Sequence, residues 1–308
     1  TNARFALIEH KGAVLSHYRQ LESADFADLA AAITQYYQLT GIFSGGAQRP
    51  RRAALAIATP IVDDWVSMTN QRWAFSIEAT RQRLGFDKLL VLNDFTALAM
   101  ALPLLQRSEL HQVGGGEPVP DTPLALIGPG TGLGVSGLIP CGSGWVPLRG
   151  EGGHVTFSPA NQREMDILAL VRRESSHVSC ERLVSGSGMI PLYRAIAALQ
   201  GIEPEALSTA QISARALDNS CPACVETLAT FCAMLGTVAG NLALTLGARN
   251  GVYIGGGIVP RLGSYFETSP FRRRFEEKGR FSDYLSAIPC YVVLAPDAAL
   301  RGAGSALS

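Results

Sequence analysis

Leu89-Leu90-Val91-Leu92 runs straight into Asn93-Asp94, and a segment with helical spacing follows. A short apolar run bounded by polar residues reads as a buried strand of a parallel sheet. Ala97, Leu98, Met100, Ala101, Leu104 and Leu105 give the next segment its apolar face. A carboxylate at the carboxyl edge of such a strand stands where open α/β sheets bind ligands. Asp94 can there accept a proton from a substrate hydroxyl. The alternative is that it only caps the helix.

The rest of the chain follows the same alternation of strands and helices, which argues for α/β layers. The opening reads as a hairpin, Thr1 to Ile8 and Ala13 to Tyr18, turning at His10-Lys11-Gly12. Asp25 to Tyr37 has helical spacing, and Gly41 to Arg52 reads as an exposed loop, Gly-rich and then basic. A strand is expected at Ala53 to Ala58 and a helix at Ser76 to Leu84. Leu110 to Pro123, with Gly114-Gly115-Gly116, Pro118 and Pro120, reads as a linker or long surface loop near a domain boundary. Strands are expected at Leu124 to Ile127, Val135 to Ile139, Val252 to Ile254 and Tyr291 to Leu294. Helices are expected at Met165 to Arg173, Gly188 to Leu199, Ala210 to Asp218 and Val225 to Leu246. With 308 residues the chain makes two domains or one large one.

Charge and cysteine usage exclude several classes. Lys plus Arg and Asp plus Glu each number 26, so neither nucleic acid nor an anionic membrane surface is expected as the main partner. Of Cys141, Cys180, Cys221, Cys224, Cys232 and Cys290, only Cys221 and Cys224 are closely spaced, with no histidine near them. A structural zinc needs two such pairs or added histidines, so no metal site is expected. The thiols read as buried or incidental, with a redox or metal role as the alternative, and a reducing cytoplasm is the expected compartment. No signal peptide is visible. Val225 to Leu246 is apolar enough to span a membrane. It carries Glu226 and Asn241, lacks a basic flank, and reads as a buried core helix in which Gly236 and Gly240 permit close packing.

Three glycine-rich stretches carry chemistry. Gly128-Pro129-Gly130-Thr131-Gly132-Leu133-Gly134 lies between two strands, where bare backbone amides and a Thr hydroxyl can cradle an anion. It matches neither a Walker A loop nor a dinucleotide fingerprint, and a tight β-turn is the alternative. Gly255-Gly256-Gly257-Ile258 ends a strand with backbone able to pack against a flat nucleotide ring. Gly150-Glu151-Gly152-Gly153-His154 sets an acid and an imidazole three residues apart, both able to hydrogen-bond a polyol. Glu181 is less distinctive, and a salt bridge with Arg182 or Arg172 is its plain reading.

Asn93-Asp94-Phe95-Thr96, Gly130-Thr131-Gly132-Leu133-Gly134, Gly150-Glu151-Gly152-Gly153-His154 and Gly255-Gly256-Gly257-Ile258-Val259-Pro260-Arg261 occur in the order seen in bacterial glucokinases. Trp65-Val66-Ser67-Met68-Thr69-Asn70 and Trp73-Ala74-Phe75-Ser76 fit the same pattern, so the resemblance runs over nearly the whole chain. It implies the two-domain, actin-like ATPase (ribonuclease H-like) α/β fold shared with hexokinase, with the active site in the interdomain cleft. The small domain would hold residues 1–105 plus 296–308 and the large domain 106–295. The resemblance implies ATP-dependent phosphorylation of the glucose 6-hydroxyl with Mg²⁺, and Asp94 as general base. Asn93, Asp94, Glu151, His154 and Glu181 would bind the sugar. Thr1, Asn2, Gly130, Thr131, Gly132, Gly255, Gly256 and Gly257 would bind the nucleotide. A cytoplasmic homodimer is implied as well.

The family's first phosphate loop is Asp-x-Gly-Gly-Thr-Asn, and the chain begins inside it at Thr1-Asn2. Residues upstream, and a longer final helix than Asp297 to Ser308, are therefore expected in the natural protein. Arg49 to Arg52 looks like an inserted, solvated surface. A non-catalytic sugar-sensing regulator on the same fold is the alternative. No basic helix-turn-helix segment is seen in the chain, and a regulator has no need of an intact phosphate loop. A glycosidase using Glu151 and Asp94 as paired carboxylates leaves the phosphate and adenosine motifs unexplained.

Overall fold

The computed structural model describes residues 2–9, 14–42, 49–68 and 73–307. Thr1, the turn at His10 to Gly12, residues 43–48 of the glycine-rich loop, and Thr69 and Asn70 of the tryptophan motif lie outside the described residues. The chain divides into two compact units, residues 1–106 with 295–308, and residues 107–294.

The first unit opens with β1 (Asn2–Leu7) and β2 (Ser16–Glu22), paired antiparallel. The return strand starts later and runs further than Ala13 to Tyr18, on a largely exposed ribbon that leaves little burial pattern to read. Helix α1 spans Leu29–Thr40, not Asp25 to Tyr37. Asp28, rather than Asp25, accepts the N–H of Ala31 at 2.7 Å and sets the first turn. Gly41, at φ 63°, ends the helix in the left-handed conformation that glycine adopts freely. Strand β3 (Arg52–Ile57) begins one residue earlier than expected, and Arg51 pairs with Asp87 at 2.7 Å. The hairpin of β4 (Trp65–Ser67) and β5 (Ala74–Ser76) leads into α2 (Ile77–Leu84), capped by Ser76. The buried run becomes β6 (Lys88–Asn93), parallel to β3, and delivers the chain into α3 (Asp94–Ala101).

The second unit is built on one six-stranded mixed sheet. Its elements are β7 (Leu110–Val113), β8 (Leu124–Pro129), β9 (Leu133–Cys141), β10 (Gly144–Pro147), α4 (Gln162–Val171), α5 (Met189–Leu199), α6 (Thr209–Leu217), α7 (Pro222–Leu246), β11 (Val252–Ile254), α8 (Ser264–Thr268), α9 (Phe271–Glu276), α10 (Ser282–Ser286) and β12 (Cys290–Val293). The strand order is β10-β9-β8-β11-β12-β7, with β8, β11 and β12 mutually parallel and the outer strands antiparallel. Every residue of β8 is buried, as a central strand requires. Of the segment expected to be a linker or long loop, Leu110 to Pro123, the first four residues correct to edge strand β7, because Leu110 to Val113 pairs with β12, a partner distant in sequence, while Gly114 to Pro123 is loop. Strand β10 was not foreseen; Gly142, at φ 57°, turns the chain back along β9.

Helix α7 is, among the described residues, the one helix long and apolar enough to cross a membrane. It is a core helix, with 72% of its most apolar window buried inside the structure. A side chain at Gly236 would collide with the carbonyl oxygen of Phe271, and one at Gly240 would come within 2.7 Å of that of Phe275. The two glycines let α9 press against α7. Gly236→Ala is expected to cost about 1–3 kcal/mol through overpacking against backbone, read as a lower urea midpoint. A midpoint equal to the parent's would refute that contact.

The chain then returns to the first unit with α11 (Ala298–Ser305), which packs on α3. Gly302 lies so close to α3 that a side chain there would strike the carbonyl oxygen of Ala97.

Candidate active site

The first unit carries Asn93 and Asp94 at the carboxyl end of β6. Asn93, not Asp94, caps α3: its Oδ1 accepts the N–H of Phe95 at 2.9 Å and of Thr96 at 3.2 Å. Asp94 is the first helical residue, and its Oδ1 also accepts from the Phe95 N–H at 2.9 Å. The N-cap position belongs to Asn93, while Asp94 commits only Oδ1 to a first-turn N–H. Burial pushes the Asp94 carboxyl above the ordinary carboxylate range, against the pull of the Phe95 and Asp94 backbone N–H groups. A partly buried carboxylate with raised proton affinity suits proton acceptance. Asn2 sits at the start of β1, opposite Glu22.

In the second unit Glu181 is the meeting point of two glycine-rich loops. Its Oε2 accepts the backbone N–H of Leu133 at 2.8 Å, and its own N–H donates to Gly153 O at 2.9 Å. A side chain at Gly132 would collide with that same carboxylate oxygen. His154 Nδ1 stands 4.0 Å from Glu181 Oε1, at the limit of ion-pair range. A bridge between Thr156 and Ser179, with Cys180 N–H donating to Val155 O at 2.9 Å, pins these segments side by side. Gly152 and Gly153 allow the approach: a Cβ on the first would crowd Val135, and one on the second would strike Leu133 O. Glu151 is exposed, and its carbonyl accepts the His154 N–H at 3.0 Å. Glu181 therefore does not form the plain salt bridge with Arg182 or Arg172.

The Gly130-Thr131-Gly132 turn joins β8 to β9, closed by Gly130 N–H donating to Gly132 O at 2.8 Å. Thr131 is exposed, and a Cβ at Gly130 would meet open space. The turn is braced by residues that sequence reasoning missed. Gly186 N–H donates to Gly130 O at 2.8 Å, and Ser187 Oγ donates to Thr131 O at 3.1 Å. The Ser185-Gly186-Ser187-Gly188 run before α5 was the available signal. Gly255 N–H donates to Ile127 O at 2.9 Å as β11 ends. Gly256, at φ 80°, lies so near β8 that a side chain would strike Pro129 O. The Gly130–Gly132 and Gly255–Gly257 segments are thus adjacent at one end of neighbouring parallel strands, where such sheets bind ligands.

This layered α/β architecture is that of the sugar kinases. The computed model superposes on a glucokinase from an Antarctic psychrotroph with a TM-score of 0.91 and 38% sequence identity, covering 100% of this chain and 95% of that one. It shares its fold, with a TM-score of 0.62 at 16% identity, with a ROK family glucokinase from Streptomyces griseus solved with glucose and AMPPNP, covering 100% of this chain and 96% of that one. The glucokinase of Aromatoleum aromaticum is 55% identical over 307 residues, 100% of this chain and 92% of its own length. The glucokinase family model matches residues 1–308. The chain belongs to the glucokinase family, enzymes that phosphorylate glucose.

Proposed function

We propose that Asp94 is the general base, taking the proton from the glucose 6-hydroxyl as that oxygen attacks the γ-phosphate of ATP, giving glucose 6-phosphate and ADP. The observation that carries this reading is the division of labour at the start of α3, where Asn93 takes the capping bonds. Asn93 keeps its amide N–H₂ for a sugar hydroxyl while its oxygen holds the helix. Glu151, His154 and Glu181 bind other ring hydroxyls, with Glu181 offering Oε1 while Oε2 is tied to Leu133. A missing or inverted hydroxyl then leaves polar groups unpaired, which is how such a site selects its sugar.

The nucleotide phosphates lie along Gly130, Thr131 and Gly132, with the adenosine at Gly255 to Gly257. The open space at Gly130 and the exposed Thr131 fit an anion cradle. Thr1 and Asn2 belong to the first phosphate loop in the same reading. Among the described residues no group of three or more His, Cys, Asp or Glu could hold a metal ion. Mg²⁺ enters with ATP as the MgATP substrate and neutralises phosphate charge. The Streptomyces griseus structure with AMPPNP supports ATP as the donor. A cytoplasmic homodimer is part of the same proposal, and sedimentation of the purified protein tests the dimer. The sugar-sensing regulator is not favoured, because relatives at half identity over the whole chain are glucokinases.

The direct test is MgATP-dependent formation of glucose 6-phosphate, and absence of turnover despite glucose binding would overturn the reading. A second test separates sugar from nucleotide. Glu181→Gln neutralises the carboxylate that accepts the Leu133 N–H and leaves the glycines of the nucleotide loop untouched. Losing a charge-assisted hydrogen bond of about 1.5–3 kcal/mol predicts a glucose KM raised roughly 10- to 100-fold. The KM for ATP should change much less. An ATP KM that rises as steeply, with the glucose KM unmoved, would remove Glu181 from the sugar site.

A further inference from the structure

Cys221-Pro222-Ala223-Cys224 opens α7, the longest helix of the fold. Cys221 is the N-cap, in extended backbone, and Pro222 fixes the first helical position. The Cys221 sulfur accepts the Cys224 N–H at 3.4 Å. All six cysteines are free thiols in the structure. A capping position and the third helical residue fall on the same side of the first turn, so side-chain rotation suffices to join the sulfurs.

The two thiols are unequal in the way that exchange chemistry needs. Cys221 is half-buried and reachable, whereas Cys224 is fully buried. Arg215 of α6 adds positive charge near both sulfurs, partly offset by Glu205, which holds it at 2.7 Å. Burial and the adjacent Cys221 push the Cys224 thiol up to about 12, so it waits protonated.

We infer that Cys221 and Cys224 form a dithiol that closes reversibly to a disulfide in the folded protein, by exchange with a low-molecular-weight disulfide such as glutathione disulfide. The Cys221 thiolate attacks one glutathione sulfur, that S–S bond breaks, and one glutathione thiolate leaves. Cys224 then loses its proton, and its sulfur attacks the Cys221 sulfur of the mixed disulfide, expelling the second glutathione. Two protein thiols are oxidised to one disulfide, and one glutathione disulfide is reduced to two glutathione thiols, which take up the two protons.

The experiment equilibrates the whole protein with glutathione buffers of graded ratio near neutral pH. Samples are quenched with acid, alkylated with iodoacetamide and mapped by peptide mass. The expected result is a peptide carrying both residues that has lost two hydrogens and takes no alkyl group. Dithiothreitol restores alkylation, and the far-ultraviolet circular dichroism does not change. Cys224→Ser should stall as glutathione-modified Cys221, while Cys221→Ser should leave Cys224 unmodified. The inference is overturned if both residues alkylate at every ratio. It is overturned equally if wild-type Cys221 keeps glutathione, or if the bond forms only where the circular dichroism shows unfolding.

Discussion

Asp94→Asn is expected to lower kcat by roughly 10²–10⁴-fold, the range general acid–base catalysis supplies, while unfolding at the same or a higher temperature than the parent. The two halves of this result have one cause. Burial raises the Asp94 pKa above that of the unfolded chain. A carboxyl so shifted contributes stability that is fully present below the unfolded pKa and lost as pH rises through the folded one. At neutral pH its ionised form therefore costs stability, and a neutral amide of the same size does not. Asparagine keeps the first position of α3, and Asn93 still caps the helix, so the fold has no reason to suffer. The parent's kcat/KM should also fall on the acid side as Asp94 takes up its proton, at a pH above the ordinary carboxylate range. That limb should be missing from the residual activity of the variant. Retention of more than about a tenth of kcat would fall outside that range and remove Asp94 from the chemistry.

Arg274→Ala is expected to cost about 3–5 kcal/mol, measured by urea unfolding, because it leaves a buried carboxylate uncompensated. Glu164 and Arg274 are only 2% and 6% exposed and meet at 2.8 Å. Arg274 also donates to Thr237 Oγ1 at 2.7 Å, and Glu164 Oε2 accepts the Ala160 N–H at 2.8 Å. The network ties α4, α7 and α9 together. Lys278 donates to Thr237 O at 3.3 Å, and burial and the Arg274 charge hold its ammonium below the ordinary lysine range. Glu164→Gln should accordingly be as damaging, since it leaves Arg274 and Lys278 facing each other with less negative charge between them. The double variant Glu164→Leu with Arg274→Met should recover much of the loss, as replaced buried ion pairs often do. Single variants costing less than about 1 kcal/mol would put the pair in the class of solvated surface bridges.

The features that could be read from sequence were those with a local cause. The Leu89 to Asn93 strand and Val252 to Ile254 announced themselves by short runs of apolar residues and polar or glycine punctuation. The helix expected from Ser76 starts at its own cap, Ser76, whereas α7 begins at Pro222, three residues before the expected Val225. What escaped depends on partners far away in the chain. Strand β7 is fixed by β12, and nothing in Leu110 to Val113 alone reveals it. Glu181 gave a faint signal because its meaning lies in the Leu133 N–H and the bare Gly132, neither of them nearby in sequence. Asp25 and Asp28 are both acceptable caps by composition, and only the hydrogen bond to Ala31 separates them.

The contact of Gly302 with Ala97 has a consequence for the order of events on the ribosome. Domains form as units during synthesis, the earlier ones first. Here the first unit is interrupted: residues 107–294 emerge between α3 and the helix that packs on it. The second unit has all its strands before α11 exists. Helix α3, which presents Asp94, rests on β3 and β6 from the start but gains α11 only after the whole second unit has been made, and a nascent polypeptide stalled short of Gly302 carries Asp94 on a helix that still lacks this partner.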